Sequence, residues 1–409
     1  MIIKSPRNTY DIVIVGGGMV GGTFAVTLSE TLKDKGLKIL VVEANAPLTR
    51  KQSEVGFDSR STALSFGSKK ILNDSSIWLE VGKKAEPIRN IIVSDKGKFG
   101  TTKISSEEQN LEALGFVVEN KDLVSTLSNR LSASRTIDYF TEAKISSVSP
   151  RANGMNFEIS TDESSWTVSS ALLVLAEGGR SSVCEKLGIA RTHQDYKQHA
   201  IVSNVAFENG HAGNAFERFT DTGPLAVLPL RKFKTENRCS VVWSVNSHES
   251  DHILTLNQEA LRKKLQDSFG HRLGRIVKVG KLDCFPLRLS VAREQIRPGM
   301  VLLGNVAHTL HPVAGQGMNL ALRDMEALVK SIGKGIEEGS GCGDMCVLQR
   351  YIEKQAEDHY EIITLTDRLV SLFSSSAPTN VMARKFGLLS LDLFPSLRKT
   401  FARKAMGLV

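Results

Sequence analysis

Residues 10–44, YDIVIVGGGMVGGTFAVTLSETLKDKGLKILVVEA, read as a strand, a glycine turn, a helix and a second strand. The run Tyr10 to Val15 is apolar and rich in β-branched residues, as a strand buried on both faces requires. Small and apolar residues follow at helical spacing, and Lys38 to Glu43 closes the unit as a second strand. The glycines fall as Gly16-x-Gly18-x-x-Gly21. The first permits a tight turn, the second lets backbone approach a pyrophosphate, and the third lets the helix pack on the strand. Phosphates would sit at the helix amino terminus, where free N–H groups and the dipole favour anions. Glu43 ends the second strand where an acid accepts from an adenosine ribose 2′-OH and disfavours a 2′-phosphate. This spacing predicts a dinucleotide site and leaves FAD and NAD both open.

The composition fits a globular chain with room for two or three domains, at 409 residues with 41% hydrophobic and 23% charged. Cys184, Cys239, Cys284, Cys342 and Cys346 form no CxxC pair and no zinc-type cluster, so reduced thiols of a cytoplasmic protein are expected. The amino terminus, MIIKSPRNTYDIVIV, lacks the apolar core of a signal peptide, and no apolar run is long enough to span a bilayer. A net charge of +8 without a nucleic-acid-reading motif predicts a solvated basic surface and no nucleic acid partner.

Two further segments separate FAD from NAD. ALLVLAEGGRSSVCEKLGI (171–189) is a buried strand ending in Glu177-Gly178, followed by a helix. VLLGNVAHTLHPVAGQGMNLALRD (301–324) is a strand that ends in Gly304-Asn305, a loop, and then an amphipathic helix. A nicotinamide domain needs only its own contiguous fold, whereas a flavin is commonly enclosed by segments scattered through the chain.

The three segments resemble the fingerprints of the FAD-dependent aromatic hydroxylases: GxGxxG, an Asp-Gly strand end and a Gly-Asp strand end. Glu177 and Asn305 stand where that family has aspartate. The resemblance covers nearly the whole chain. GFDSRSTALS (56–65), AFERFTDTGPLAVLPL (215–230), RCSVVW (238–243) and HTLHPVAGQGMNLALRD (308–324) narrow it to the ubiquinone-biosynthesis hydroxylases, nearest the polyprenyl-methoxyphenol branch. It implies an α/β fold like that of p-hydroxybenzoate hydroxylase: a Rossmann-like FAD-binding domain with a parallel sheet, an antiparallel-sheet substrate domain and C-terminal helices. It implies a tightly bound, non-covalent FAD, NAD(P)H as a transient reductant, O2, and a polyprenylated phenol whose ring is hydroxylated. By the same resemblance Arg60 contacts the cofactor, Asn120 or Lys121 lies near its ribityl chain, and Glu177, Gly178, Gly304 and Asn305 belong to the cofactor site.

The loop of the third segment then has a role. Gly315 and Gly317 let backbone N–H groups approach the flavin N1 and O2 edge, which becomes negative on reduction. The helix that opens at Met318 and Asn319, with Leu320, Met325, Leu328 and Ile332 on one face, points its positive end at that edge. Gln316 lies between the two glycines. Pro312 stiffens the turn, and by resemblance its carbonyl faces flavin C4a and the substrate ring. His311 is expected to contact substrate and His308 to pack. No metal is expected, because no carboxylate or third histidine is placed in sequence to complete a site.

Between the fingerprints, AIVSNVAF, PLAVLPL and CSVVWSV alternate with polar turns and predict an antiparallel sheet. Phe216, Phe219, Leu228 and Pro229 are expected in the pocket wall. The expected domains are 1–70, 103–195 and 285–340 for the cofactor, 71–102 and 196–284 for the substrate, and a helical region 341–409. In the tail FPSLRKTFARKAMGLV (394–409), Leu397, Phe401, Ala405 and Leu408 make one helical stripe flanked by Arg398, Lys399, Arg403 and Lys404. Two readings stay open: the stripe packs on the enzyme, or the helix lies on an anionic surface at the inner face of the membrane or on a complex of ubiquinone-biosynthesis proteins. Two other functions share the expected fold: an FAD-dependent prenyl-lipid reductase, and a flavin-bound scaffold.

Overall fold

The protein is described by a computed structural model over residues 5–47, 56–97, 101–179, 181–312, 315–374 and 395–408. β1 (Thr9–Val15), α1 (Met19–Thr31) and β2 (Ile39–Glu43) form the opening unit. β3 (Ser61–Ser65), α2 (Phe66–Asp74), α3 (Trp78–Val81), β4 (Glu86–Ile88), β5 (Asn90–Asp95), β6 (Thr101–Ser105), β7 (Gly115–Glu119) and α4 (Asn120–Ala133) follow. Next come β8 (Ile137–Thr141), β9 (Lys144–Arg151), β10 (Gly154–Ser160), β11 (Ser165–Leu175), α5 (Ser182–Lys186), β12 (Arg191–Phe207), β13 (Asn214–Thr220), β14 (Gly223–Pro229) and β15 (Asn237–Asn246). The remainder is α6 (Ser247–Thr255), α7 (Gln258–Phe269), β16 (Ile276–Val279), β17 (Asp283–Ala292), β18 (Ile296–Arg297), β19 (Met300–Leu302), β20 (His308–Thr309), α8 (Gln316–Glu337), α9 (Met345–Ser374) and α10 (Pro395–Ala405).

The first sheet runs in the order β18-β19-β11-β1-β2-β8, with the β9–β10 hairpin paired onto β11. β19, β11, β1, β2 and β8 are mutually parallel. Alternate side chains of β1 serve two cores, which is why its sequence is apolar without a break. Ile12 and Ile14 face α1, α8 and α9 through Phe24, Leu28, Met325 and Tyr351. Val13 and Val15 face the hairpin and α5 through Phe157, Ile159 and Val183. A methyl group on Gly21 would stand 1.9 Å from the Gly16 carbonyl oxygen, so only glycine lets α1 lie this close to β1.

The second sheet runs β20-β17-β12-β15-β14-β13-β5-β6, with β16 beside β12. Its pairs are antiparallel apart from β13 with β5, which enters from a distant part of the chain. A three-stranded sheet, β3-β7-β4, joins the two layers.

The expected boundaries shift in three places. Of 71–102, only β5 and the start of β6 join the second sheet, whereas Ile71, Leu72, Ile77 and Val81 pack in the core of the first. β17, which lies mostly in the stretch 285–340 expected for the cofactor domain, pairs with β12 in the second sheet. Of the region 341–409, Val347, Leu348 and Tyr351 of α9 are buried in the first core. In each case a long-range pairing, invisible to local pattern, decides membership.

Candidate active site

Because β1, β11 and β19 are parallel and in register, Val15 beside Leu175 and Leu175 beside Leu302, their carboxyl ends open at one edge. Crevices outside the carboxyl ends of parallel strands are where such folds bind ligands. Gly16, Gly18, Glu177, Gly178 and Asn305 meet there, in the wall of a cavity of about 1180 Å³ that continues between the two sheets. Such a volume exceeds one small-ligand pocket and leaves room for a large cofactor beside a substrate.

The glycine turn is held from below and open above. Gly16 N–H donates to the Val42 carbonyl at 2.8 Å, and Gly17 N–H donates to Glu43 Oε2 at 2.7 Å. The other Glu43 oxygen accepts from Asn45 N–H at 2.9 Å and from Asn45 Nδ2 at 2.7 Å. A Cβ on Gly18 would meet no atom within 4 Å, so the backbone here faces free space at the amino end of α1. That is the shape a pyrophosphate requires.

Opposite the turn, the segment 56–63 is strapped to the second sheet. Asn204 Nδ2 donates to the carbonyls of Phe57 and Ser59, each at 2.7 Å. Arg238, 2% exposed, donates to the Gly56 and Phe57 carbonyls at 2.9 and 3.2 Å and pairs with Glu119. Burial pushes the Glu119 carboxyl up and the Arg238 charge opposes it. Arg60, which follows, is exposed on the cavity rim with its guanidinium 4.9 Å from the Phe285 ring centroid.

The loop before α8 is braced from three sides. Gly315, left-handed at φ 61°, caps α8 and donates its N–H to the Pro312 carbonyl at 2.9 Å. The Asn319 amide is fully engaged: Oδ1 accepts from Ser65 N–H at 2.8 Å and Ser68 Oγ at 2.7 Å, and Nδ2 donates to the Ala63 and Gly315 carbonyls at 3.2 and 2.8 Å. The first turn of α8, with Gln316, Gly317 and Met318, borders the cavity. Such N–H groups have no partner within their own helix. His311 is buried against Tyr196, their rings edge to face at 5.4 Å, and burial pushes its pKa down to about 4, so the ring is neutral at neutral pH.

Behind the loop, Asp324 Oδ2 lies 3.0 Å from His308 Nε2, while Oδ1 lies 2.7 Å from His359 Nε2 and 3.0 Å from Gln355 Nε2. Burial pushes the Asp324 carboxyl up, but the hydrogen bonds from His308 and His359 outweigh it and hold the group well below the usual carboxylate range.

The amino-acid sequence from residue 9 to 357 matches the family model described as FAD binding domain. A ubiquinone hydroxylase, UbiL, of Rhodospirillum rubrum is 32% identical over 99% of this chain and 91% of its own. The chain belongs to the FAD-dependent ubiquinone-biosynthesis hydroxylases. The 3-demethoxyubiquinol 3-hydroxylase of Escherichia coli is 28% identical over 97% of this chain and 98% of its own. In three dimensions the p-nitrophenol 4-monooxygenase PnpA of Pseudomonas putida superposes with a TM-score of 0.79 over 98% of this chain and 99% of its own, at 16% identity, a likeness of fold. This hydroxylase is thus a flavin-dependent aromatic monooxygenase that uses FAD.

Most residues expected at the flavin site meet in the cavity wall: Gly16, Gly18, Glu43, Arg60, Asn120, Glu177, Gly178, Asn305, His311, Pro312, Gly315, Gln316, Gly317, Met318 and Asn319. Of Asn120 and Lys121, the structure brings Asn120, whose Oδ1 accepts from Thr62 Oγ1 at 2.7 Å; Lys121 is exposed and off the wall, because α4 turns it outward. Gly21 and Gly304 act behind the wall, the latter where a Cβ would press on Val20 at 3.0 Å. The Gly315 N–H expected at the flavin edge is already given to Pro312, which in turn occupies the Pro312 carbonyl. Glu177 accepts from Ser181 Oγ and faces the start of α5, so it caps a helix as well as bordering the cavity. Phe216, Phe219 and Leu228 line the cavity and Pro229 does not. The ground for expecting no metal, that no carboxylate or third histidine is placed to complete a site, is corrected, since Asp324 and His359 converge on His308 with all three groups buried. Their facing atoms are already bonded to one another. Sequence reasoning missed the Arg238–Glu119 pair, Asn204 and Glu217; the one available signal was a charged or amide side chain inside an otherwise apolar strand.

The tail helix packs on the enzyme. Ala402, Met406 and Leu408 meet Ile91, Ile104 and Leu114, while Arg398 pairs with Glu108 and Lys404 with Glu361. Of the expected stripe, the side chains of Leu397, Phe401 and Ala405 lie outside the described residues. Among the described residues no helix is long and apolar enough to cross a membrane.

Proposed function

We propose that this hydroxylase inserts one atom of O2 into the ring of a polyprenylated phenol, converting 2-polyprenyl-6-methoxyphenol to its hydroquinone. The observation that carries the reading is the apolar chamber continuous with the cofactor loops. Ile88, Ile91, Ile104, Leu114, Leu228 and Met406 line it, a wall suited to a prenylated ring with few polar anchors. The names of the relatives from Rhodospirillum rubrum and Escherichia coli support the same class.

FAD, when bound, would supply the redox chemistry, hydride acceptance from NAD(P)H and activation of O2. The chain binds and orients. The turn at Gly16 to Gly18 and the amino end of α1 hold the pyrophosphate, with Glu43 at the adenosine ribose. Asn120, Glu177, Gly178 and Asn305 would hold the ribityl chain, and Arg60 would cover the cofactor from the rim. The N–H groups of Gly317 and Met318, at the positive end of α8, would serve the flavin N1 and O2 edge and stabilise charge there. His311 and Pro312 meet the substrate ring, and a neutral His311 keeps that contact free of charge.

α10 supports a peripheral position on an anionic membrane or a biosynthetic complex. Ala402 and Met406 close the apolar end of the chamber from one side, and Lys399, Arg403 and Lys404 are exposed on the other. A prenyl chain resident in a bilayer would reach the chamber at this helix.

The test is turnover with 18O2. Purified enzyme, NAD(P)H and 2-farnesyl-6-methoxyphenol should yield a hydroquinone carrying one labelled oxygen. Product formed without O2, or reduction of the prenyl double bonds, assigns the enzyme to reductases instead. Flavin binding with no substrate-stimulated NAD(P)H oxidation assigns it to scaffolds.

A further inference from the structure

Five strands of the second sheet carry one transverse row of side chains into the chamber. The registers set Thr102 beside Val93, Val93 beside Glu217, Glu217 beside Ala226 and Ala226 beside Val242. All five line the cavity. Four are small or apolar, as packing against a prenylated ring demands, and Glu217 is the one acid. Glu217 is half-buried at the cavity surface, and a carboxylate set among apolar neighbours without a countercharge is a group a ligand can engage. Among the described residues no hydrogen bond or ion pair engages Glu217, although its neighbour Arg218 points to the other face of β13.

The surroundings carry no countercharge. From β5, β6, β14 and β15 the facing residues are the four just named, and none titrates. Asp95, farther along β5 on the same face, lies outside the cavity wall. The other titratable groups of the wall, Glu43, Arg60, Tyr139, Lys144, Glu177 and His311, sit on cofactor-side elements. Burial by itself pushes the Glu217 carboxyl up to about 7. A base poised near the working pH is the kind that moves a proton efficiently.

We infer that Glu217 anchors the phenol hydroxyl of the substrate and accepts its proton, an assignment that rests on the polyprenylated-phenol reading. The phenol O–H bond breaks, its electron pair stays on the ring oxygen, and the proton passes to Glu217. The ring, richer in electron density, then attacks the oxygen atom to be inserted: the new C–O bond forms as the O–O bond breaks, NAD(P)H supplies the two electrons, and the ring C–H proton moves to the phenol oxygen as aromaticity returns. The proton held on Glu217 passes on to the water that the second atom of O2 becomes, and the carboxylate is restored.

The test uses holoenzyme, 2-farnesyl-6-methoxyphenol and its ring-fluorinated analogue, whose phenol is more acidic. In the wild type, kcat/KM rises with pH through about 7, as a base that must be ionised requires. Glu217→Gln keeps FAD and nearly the same KM, because the amide oxygen still accepts from the phenol. Its kcat falls on the order of 10²-fold and the limb near neutral pH disappears. The fluorinated phenol recovers part of the lost rate in Glu217→Gln and changes the wild type less. Glu217→Asp, which retains a carboxylate, retains the limb at reduced kcat and covers the case in which the amide fails to fold. A wild-type rate or an unmoved limb in Glu217→Gln overturns the assignment while leaving the substrate reading intact. Absence of hydroxylated product from the wild type overturns both.

Discussion

His308 in β20 and His359 in α9 share one buried carboxylate, Asp324 of α8, at 3.0 and 2.7 Å. The pair of contacts ties β20 to two helices at once. Asp324→Asn should therefore cost about 3 kcal/mol in urea unfolding, since an amide replaces a buried carboxylate shared by His308, His359 and Gln355 and turns an NH2 group toward one of them. The sign with pH follows from a carboxyl depressed below its ordinary 3.8. Its stabilisation is present above that value and is lost as pH falls through the folded value, so the wild type should weaken in strong acid more steeply than the variant. Equal stability of the two proteins at neutral pH would show that the cluster bears no load.

Gly18→Val should abolish FAD binding and leave the fold intact, because the new side chain enters only the free space above the turn. Purified variant should be colourless with an unchanged circular dichroism spectrum. Gly21→Ala should instead disrupt folding, as its methyl would collide with the Gly16 carbonyl at 1.9 Å. A yellow Gly18→Val protein would remove the pyrophosphate from this turn.

Gly317→Val should keep most of the FAD and impair turnover. No atom lies within 4 Å of a Cβ there, and the position borders the cavity at the amino end of α8, away from the glycine turn. Slower flavin reduction in stopped flow, or peroxide in place of hydroxylated product, is the expected readout. Normal, coupled turnover would place the flavin edge elsewhere.

Glu217→Gln should stabilise the apoprotein at alkaline pH. The carboxyl rises from 4.5 to about 7 on folding, so stability is full below the unfolded value and is lost as pH rises through the folded one. A glutamine does not titrate. The difference in unfolding free energy should grow between about pH 4.5 and 7 and reach at most about 3 kcal/mol. Parallel stability curves for the two proteins across that range would mean that Glu217 is solvated.

Arg403→Glu with Lys404→Glu should reduce co-sedimentation with anionic phosphatidylserine vesicles at low salt, each basic residue near such a surface being worth about 1 kcal/mol. Lys404 pairs with Glu361 at 2.6 Å, so Arg403→Glu alone isolates the surface charge from the loss of that contact. Equal sedimentation of variant and wild type would leave α10 as a packing element only.

What the sequence determined by itself is local. The strand, turn and helix around Gly16, Gly18 and Gly21 follow from apolar runs and from steric limits that glycine alone satisfies, and the structure keeps them. The strands that stop at Leu175 and Leu302, two and three residues before Glu177 and Asn305, and the helix that follows Gly315 were legible for the same reason, since each rests on neighbours a few residues away. Tertiary structure alone decided what required distant partners. Alternation along β13 tells which residues share a face, but only pairing with β5 and β14 turns Glu217 toward the cavity. Spacing within residues 308–324 cannot show that His359, on another helix, closes on Asp324. Arg238 reads as a surface cation in its strand, yet it is buried because Glu119 and the carbonyls of Gly56 and Phe57, over a hundred residues away, supply its hydrogen bonds. Backbone conformation is set by near neighbours, whereas charge burial is set by whichever segments packing brings together.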